Sequence, residues 1–244
     1  GYKWDYDKWD NISESFAQQS QVLAEAQLSA LNGFDESKLS QAEKVSLALN
    51  KVSLERQLAN DKFRHHTYIM DQFSAYHTMV PSFLINVHRV DNIDDAQAYI
   101  SRLKGVDNLF AQVIEQLRIR QEMGVFPPKW SYDQMLQASK NVISGAPFEQ
   151  SDDVSSIWQD FQDKVGKLAI SASERKSLLD DAKTALLQSV KPAYQALINE
   201  LAVQRDLTPK GDGVWRLPNG DKWYENRLAW FTTTDLTADQ VHNI

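Results

Sequence analysis

Apolar residues recur with helical spacing along almost the whole chain. Between residues 12 and 31 they lie near one stripe, and Gly33 then follows as a predicted helix C-cap. Ser40 and Glu43 have capping-box spacing and precede a second apolar run. We therefore predict two helices in an antiparallel hairpin. The stripe of the first helix consists of Ile12, Phe16, Val22, Leu23, Ala26 and Ala30.

Prolines divide the rest of the chain into further helices. Pro81 predicts that the segment 62–90 is helical only in pieces, because proline lacks the N–H group and clashes with the preceding turn. The sequence VFPPKW (125–130) ends one helix, and the next begins near Ser131. From Ser171 the pattern predicts one long helix, or two with a kink at Pro192.

One stretch departs from the helical pattern. Val214, Trp215 and Leu217 precede a Pro-Asn-Gly turn, which predicts a short extended or hairpin segment near 213–220. The fold class that we predict is all-α, a mostly antiparallel helical bundle that forms a single domain over 1–244.

The last residues contain a helix start signal. Thr237 stands three residues before Gln240, in capping-box spacing, and the chain ends seven residues after Thr237. A helix of two turns is marginally stable unless it packs against something. We therefore expect that the domain is cut from a longer protein.

Composition and charge exclude several classes of function. The net charge of −7 argues against nucleic-acid binding, which requires a basic face. The chain has no cysteine, so thiol nucleophiles and thiolate metal sites are excluded. The chain contains no run of 18 apolar residues, so the sequence predicts no transmembrane helix.

Four of the five histidines lie between residues 62 and 90: His65, His66, His77 and His88. The chain contains neither HxxxH nor HExxH, the local spacings of a helical zinc site. His66, His77 and His88 are eleven residues apart and share a helix face, but eleven residues rise roughly 16 Å. A local chelate within this segment is therefore excluded, whereas a tertiary site that brings these histidines together from separate helices stays open.

Two interpretations of these residues remain open. The histidines could cap carbonyl groups at a helix end, or His65, His66, Tyr68 and His77 could face a cleft and donate hydrogen bonds to a substrate or a partner domain. The hydroxyls of Thr232, Thr233 and Thr234 likewise suit either a helix cap or a polar cleft rim. Because GxSxG, Walker and GxGxxG motifs are absent, we predict no catalytic residue and no metal ligand in this chain.

Several stretches together resemble the N-terminal half of a large bacterial family catalogued as domain of unknown function 885. The resemblance runs from about Tyr6 to the end. Ile69 stands where the family commonly has proline, and Asp71 where it has asparagine. The matching stretches occur in the family's order: FRHHTY (63–68), VPSFLINVHRVDNIDDAQAYISRL (80–103), GAPF (145–148) and DGVWRLPNGDKWYENRLAWFTTTDLTADQVHNI (212–244).

The resemblance implies a function that the residues alone do not. Members of the family are similar to gluzincin-type zinc metallopeptidases and carry their metal motif in the C-terminal half; many look lipid-anchored or secreted. By resemblance, this chain is a non-catalytic N-terminal half, periplasmic or lipid-anchored, that forms one wall of a peptide-binding cleft. Its partner would be the C-terminal half, which holds the zinc.

The matching motifs add Arg64 and Tyr224 to the candidate residues of this cleft. The alternative function is a stand-alone helical binding or scaffold module without enzymatic activity. The parent gene sequence beyond Ile244 would distinguish the two.

Overall fold

The computed structural model describes residues 3–73 and 75–244, which form helices and connecting turns with no β-strand. The all-α prediction is confirmed. We number the helices α1 to α11 in chain order: Glu14–Asn32, Gln41–Asp61, Tyr76–Asn86, Ile93–Lys104, Val106–Glu122, Lys129–Val142, Ser156–Gly166, Ala172–Ala185, Lys191–Leu207, Gly220–Thr232 and Ala238–His242.

Local capping signals fix several helix ends. The capping boxes predicted at Ser40 and Thr237 are both formed, each with reciprocal bonds between the cap and the third helical residue. Gly33 caps the end of α1 as predicted. Because these signals depend only on neighbouring residues, the sequence alone was sufficient to identify them.

The chain divides into two compact units. The first comprises the residues up to Ile12, Ile69–Gln121 and Phe126–Lys210, and the second comprises Ser13–Tyr68, Glu122–Val125 and Gly211–Ile244. The first unit contains α3 to α9 around a core of fully buried aromatic side chains. Aromatic side chains bury a large apolar area each, so they contribute strongly to the stability of a core. They are Tyr99, Phe110, Tyr132, Phe161 and Tyr194.

Helix α3 passes through Pro81 without a break, so the prediction that Pro81 interrupts the helix is wrong. Proline at this position cannot donate to the carbonyl four residues earlier, which belongs to His77. The hydroxyl of Tyr194, on α9, donates to that carbonyl at 2.7 Å instead. A tertiary hydrogen bond therefore replaces the lost helical one.

Helices α8 and α9 form two segments joined by a π-helical turn over Leu186–Val190. The helical backbone is continuous from Ala172 to Leu207, so of the two predicted alternatives the single long helix, with one π-turn inside it, is the observed one. Pro192 lies in the first turn of α9, where the absence of its N–H group is tolerated. Along both segments the apolar face stays buried, from Leu178 to Leu201.

The N-terminal segment, residues 3–12, runs along α4 within the first unit. The Tyr6 hydroxyl bonds to the backbone of Arg89, and Lys3 pairs with the buried carboxylate of Asp95 at 2.5 Å. The Arg102 guanidinium donates to the Tyr6 carbonyl and lies over the rings of Trp9 and Phe83. Cation–π contacts and backbone hydrogen bonds thus fix the segment in place.

In the second unit, α1 and α2 pack as the predicted hairpin, but through a different face of α1. The side chains of the predicted stripe are exposed at Phe16, Val22 and Leu23. Buried Ala24 lies at the contact instead, because a small side chain lets a second helix approach closely. The prediction of which face is packed is therefore wrong.

The segment 213–220 contains no hairpin. Gly213 and Leu217 are extended, and the residues between them, Val214–Arg216, form a 3₁₀ turn. A Cβ atom on Gly220 would lie 2.0 Å from the Val214 carbonyl oxygen, so only glycine fits where the turn meets α10. The extended part of the prediction is limited to the two flanking residues.

Candidate functional site

Arg64 and His65 converge on one carboxylate in the second unit. They follow the end of α2, where successive turns hold residues 63–66, and Glu14 is the first residue of α1. One oxygen of Glu14 accepts from the Arg64 guanidinium, and the other lies 2.9 Å from His65 Nε2. Asp61 binds the same guanidinium at 3.1 Å. A helix end and a helix start are thereby joined by a charged cluster.

The cluster keeps Arg64 charged. Burial by itself would lower the pKa of Arg64, but the hydrogen bond to Glu14 and the charges of Asp61 and Glu14 outweigh it, so the pKa is raised. The Arg64 side chain is 31% exposed. Its guanidinium is therefore a fixed, permanently charged donor group at a partly open position.

His66 is buried beneath the segment that leads into α10. Its Nε2–H donates to the Pro218 carbonyl at 2.7 Å. The ring stacks on Trp223 at 6.2 Å and meets the edge of Phe63 at 5.2 Å. His66 Nδ1 and Trp223 Nε1 are both buried without a hydrogen-bond partner among the described residues. The role that these contacts support for His66 is structural.

The candidates on α10 are more open. Tyr224 is 45% exposed. Arg227, one turn later, donates to the Asn60 side chain at the end of α2 and lies over the Trp230 ring at 5.4 Å. Burial lowers the pKa of Arg227. Helix α10 is thus joined to the end of α2 by a hydrogen bond.

The three threonines form the C-terminal turn of α10. Thr232 Oγ1 donates to the Leu228 carbonyl, and its hydroxyl lies 2.8 Å from that of Thr234. Thr233 adopts a left-handed conformation and caps the helix through its backbone N–H group. These hydrogen bonds are of the kind found at a helix cap, which is one of the two interpretations of this segment.

The candidates are divided between the two units. Tyr68 is half-buried and is the last residue of the segment Ser13–Tyr68 in the second unit. His77 belongs to the first unit. His77 is 1% exposed and its Nδ1 has no described partner. Burial lowers the pKa of His77 to about 4, although the nearby charge of Asp71 opposes this effect. The His77 side chain is therefore neutral at physiological pH.

His88 also lies in the first unit and has a structural environment. Its ring stacks on Tyr6 at 4.2 Å, and its Nε2–H donates to the Asp95 carbonyl at 3.1 Å. Burial lowers the pKa of His88 to about 4, and the positive charge of Arg102 adds to the effect.

These residues do not fit a zinc ion. A zinc site needs at least three convergent nitrogen or carboxylate donors. His65 and Glu14 are the nearest such pair in the cluster, and His66 Nε2 is already bonded to a carbonyl. Within 3–73 and 75–244, no group of three or more His, Asp or Glu side chains is placed to hold a metal.

Sequence reasoning missed the two carboxylates of this cluster, Glu14 and Asp61, and the Trp223 ring that stacks on His66. Glu14 lies 50 residues before Arg64, and its only local signal is its position after the N-cap Ser13. Trp223 lies within the matching stretch 212–244 but was not among the candidate residues. A tertiary contact between two helix ends produces no local sequence motif, so neither residue could be identified from the residues around it.

The fold and the cluster define an all-α protein in which the end of one long helix is tied by ion pairs to the start of another. The chain belongs to the family described as "Bacterial protein of unknown function (DUF885)", which matches residues 1–244. The family prediction is therefore confirmed. No curated protein matches the sequence significantly.

A solved structure with the same fold comes from Colwellia psychrerythraea and is described as a "putative lipoprotein". It is 18% identical in sequence, with a TM-score of 0.84, and the match covers 98% of this chain. The chain spans 42% of the length of the Colwellia protein. None of the helices in the described part of this chain is long and apolar enough to cross a membrane.

Proposed function

We propose that this chain is the N-terminal helical half of an exported zinc-metallopeptidase-like protein and forms one wall of a peptide-binding cleft. In this proposal the chain supplies binding groups and no catalytic residue. The remaining polypeptide supplies the metal and completes the cleft.

The observation that carries the proposal is the arrangement of Arg64, His65 and Glu14. A guanidinium held by two carboxylates has little freedom to move, so it can orient a peptide carbonyl or carboxylate with a small loss of entropy. The Arg64 side chain is 31% exposed, so a bound peptide can approach its positive charge. An oriented donor without an adjacent nucleophile and base suits substrate positioning rather than bond cleavage.

The lengths of the two aligned proteins support the second part of the proposal. The Colwellia protein is more than twice as long as the portion matched by this chain. The residues that the structure describes do not form a zinc site, so a zinc-dependent activity would require ligands from additional polypeptide. The description of the Colwellia protein as a lipoprotein supports export, either to the periplasm or with a lipid anchor.

Activity measurements on two proteins test this division of labour. The whole product of the gene is expected to contain zinc and to cleave members of a peptide library, whereas residues 1–244 alone are expected to cleave none. Zinc-dependent turnover by residues 1–244 would contradict the proposal. A whole gene product with no metal and no hydrolysis, but with saturable peptide binding, would favour the stand-alone binding module.

The Arg64→Ala variant of the whole product tests the role of the cluster. We expect KM to rise about tenfold or more with a smaller change in kcat, because a positioning contact that also holds the bound substrate is lost. Arg205→Ala is the matched control, since among the described residues Arg205 pairs only with the exposed carboxylates of Asp133 and Asp206. Unchanged KM in the Arg64 variant would show that the cluster does not touch the substrate.

A further inference from the structure

Helix α2 carries apolar residues on two opposite faces. One face includes buried Leu47 and is turned towards α1. The other includes Val45, Leu49 and Val52, which are 50%, 66% and 44% exposed. Residues 47 and 49 differ by about 200° around a helix, so the second face points away from the hairpin contact. An apolar face of this kind is typical of a helix that packs on two sides.

The outward face of α2 and Trp230 of α10 form a groove of about 280 Å³. Leu49 and Val52 supply one side and the Trp230 ring the other. The guanidinium of Arg227 lies over the same ring, which helps to fix its orientation. Ser53 and Arg56 complete the lining, so most of the groove surface is apolar.

Arg56 gives the groove a positive charge. It is the single charged residue among the described residues that line the groove, in a chain whose net charge is −7. It takes part in no ion pair or hydrogen bond among residues 3–73 and 75–244. A partner that buries the groove must therefore bring a carboxylate to this guanidinium, because a buried unpaired charge is strongly unfavourable.

We infer that this groove docks an amphipathic helix whose apolar side chain inserts between Leu49 and Trp230 and whose Asp or Glu, one turn away, pairs with Arg56. Grooves between helices recognise residues spaced three or four apart on a partner helix. Val45, on the same face of α2 as Leu49, and Phe231, next to Trp230 in the sequence, are also exposed. A stable interface needs about 800 Å² on each side, more than an isolated pocket provides.

The additional polypeptide of longer proteins with this fold is the source of the docked helix. The Colwellia protein has more chain outside the matched portion than inside it. This choice of source rests on the proposed function, whereas the chemistry of the partner follows from the groove itself.

Photo-crosslinking from position 53 in the whole gene product tests the inference. Benzoylphenylalanine replaces Ser53, which lines the groove, and in a second protein it replaces Ala48, an exposed residue of α2 outside the groove lining. We expect an intramolecular crosslink from position 53 to an apolar residue that has Asp or Glu three or four positions away. Position 48 should give at most a tenth of that yield. Circular dichroism checks that both proteins retain the helical fold.

Other crosslinked products would overturn the inference. A crosslink from position 53 to a second copy of the protein would assign the groove to a homodimer, and a crosslink to phospholipid would assign it to a membrane surface. No crosslink, or one to a residue without a neighbouring carboxylate, would also contradict it. Zinc content and peptide hydrolysis are measured on the same samples, so loss of the proposed function is distinguished from loss of the docking interaction.

Charge substitution gives a second, independent measurement. In the position-53 protein, Arg56→Glu should reduce the crosslink yield about tenfold, because two carboxylates then face each other. Arg56→Lys keeps the charge and should stay within about twofold. Lys44→Glu, an exposed charge on α2 outside the groove lining, is the matched control. Equal yields from Arg56→Glu and Arg56→Lys would overturn the assignment of the carboxylate.

Discussion

The hydroxyl of Tyr194 donates a 2.7 Å hydrogen bond to the carbonyl of His77, the carbonyl that Pro81 leaves without a helical partner. The donor and acceptor residues are 117 positions apart. Tyr194 is fully buried, and burial raises the pKa of its hydroxyl well above the ordinary value, so the hydroxyl is protonated at any physiological pH. One side chain of α9 therefore makes a proline acceptable inside α3.

Replacing Tyr194 by phenylalanine should lower the free energy of unfolding by about 1–3 kcal/mol, because the His77 carbonyl is then buried without a donor. Urea unfolding followed by circular dichroism measures the change.

Pro81→Ala provides the control in a double-mutant cycle. An alanine N–H can donate to the His77 carbonyl, so Tyr194→Phe should have a smaller effect in the Pro81→Ala background. Equal effects in both backgrounds would show that Tyr194 acts through packing alone.

Glu14 joins Arg64 and His65, so Glu14→Gln should destabilise the second unit by about 1–3 kcal/mol. The glutamine amide keeps the size of the side chain but removes the negative charge that Arg64 and His65 both contact. Glu25→Gln on the same helix is the control, since Glu25 is exposed and its side chain accepts from Gln21 on the same helix. Hydrogen exchange of the residues around 61–66 measures the local effect; protection equal to that of the control variant would argue against the cluster as a structural link.

Stability of the first unit should fall as the pH decreases from about 6.5 to about 4. Burial lowers the pKa of His77 and of His88 to about 4, whereas histidine in an unfolded chain titrates near 6.5. Within this window the unfolded chain binds protons that the folded chain does not bind. The stabilisation is therefore complete above 6.5 and decreases as the pH falls; at pH 5 it has decreased by about 2 kcal/mol for each histidine.

His77→Gln separates this effect from the titration of carboxylates, because glutamine does not ionise. The difference in unfolding free energy between the natural protein and His77→Gln should become smaller by about 2 kcal/mol between pH 8 and pH 5. Parallel pH profiles for the natural protein and His77→Gln would contradict the assignment.

Gly220→Ala should be strongly destabilising, by about 2 kcal/mol or more, because its Cβ atom would lie 2.0 Å from the Val214 carbonyl oxygen. Backbone atoms cannot move aside as a flexible side chain can. Gly33→Ala is the control within the same unit: its Cβ atom would approach no atom closer than 3.4 Å. Equal stability of the two variants would indicate that the 3₁₀ turn shifts easily.

The parts of the fold that depend on neighbouring residues could be predicted from the sequence. The capping boxes at Ser40 and Thr237 each combine a hydroxyl with a side chain three residues later, and both are formed. Helical spacing of apolar residues was sufficient to establish the all-α class, because few glycines and prolines interrupt it.

Features that depend on distant residues could not be predicted in this way. Pro81 was expected to break a helix because its compensation comes from Tyr194, in another element. The packed face of α1 was misassigned because apolar residues occur on more than one side, and small Ala24 makes the closer contact than Leu23 does. The cluster around Glu14 was missed for the same reason, since its partners come from the far end of α2.

The π-helical turn at Leu186–Val190 has a consequence for how this protein can vary in length. A π-turn holds about one residue more than an α-turn, so the surplus residue bulges while the helices on both sides keep their orientation. Losing one residue inside the turn would restore regular α-helix and leave Tyr194 in its place. Deletion of one residue between the π-turn and Tyr194 would instead rotate Tyr194 by about 100° around the helix axis, away from α3. Natural sequences that are one residue shorter in this region are therefore expected to lack the bulge.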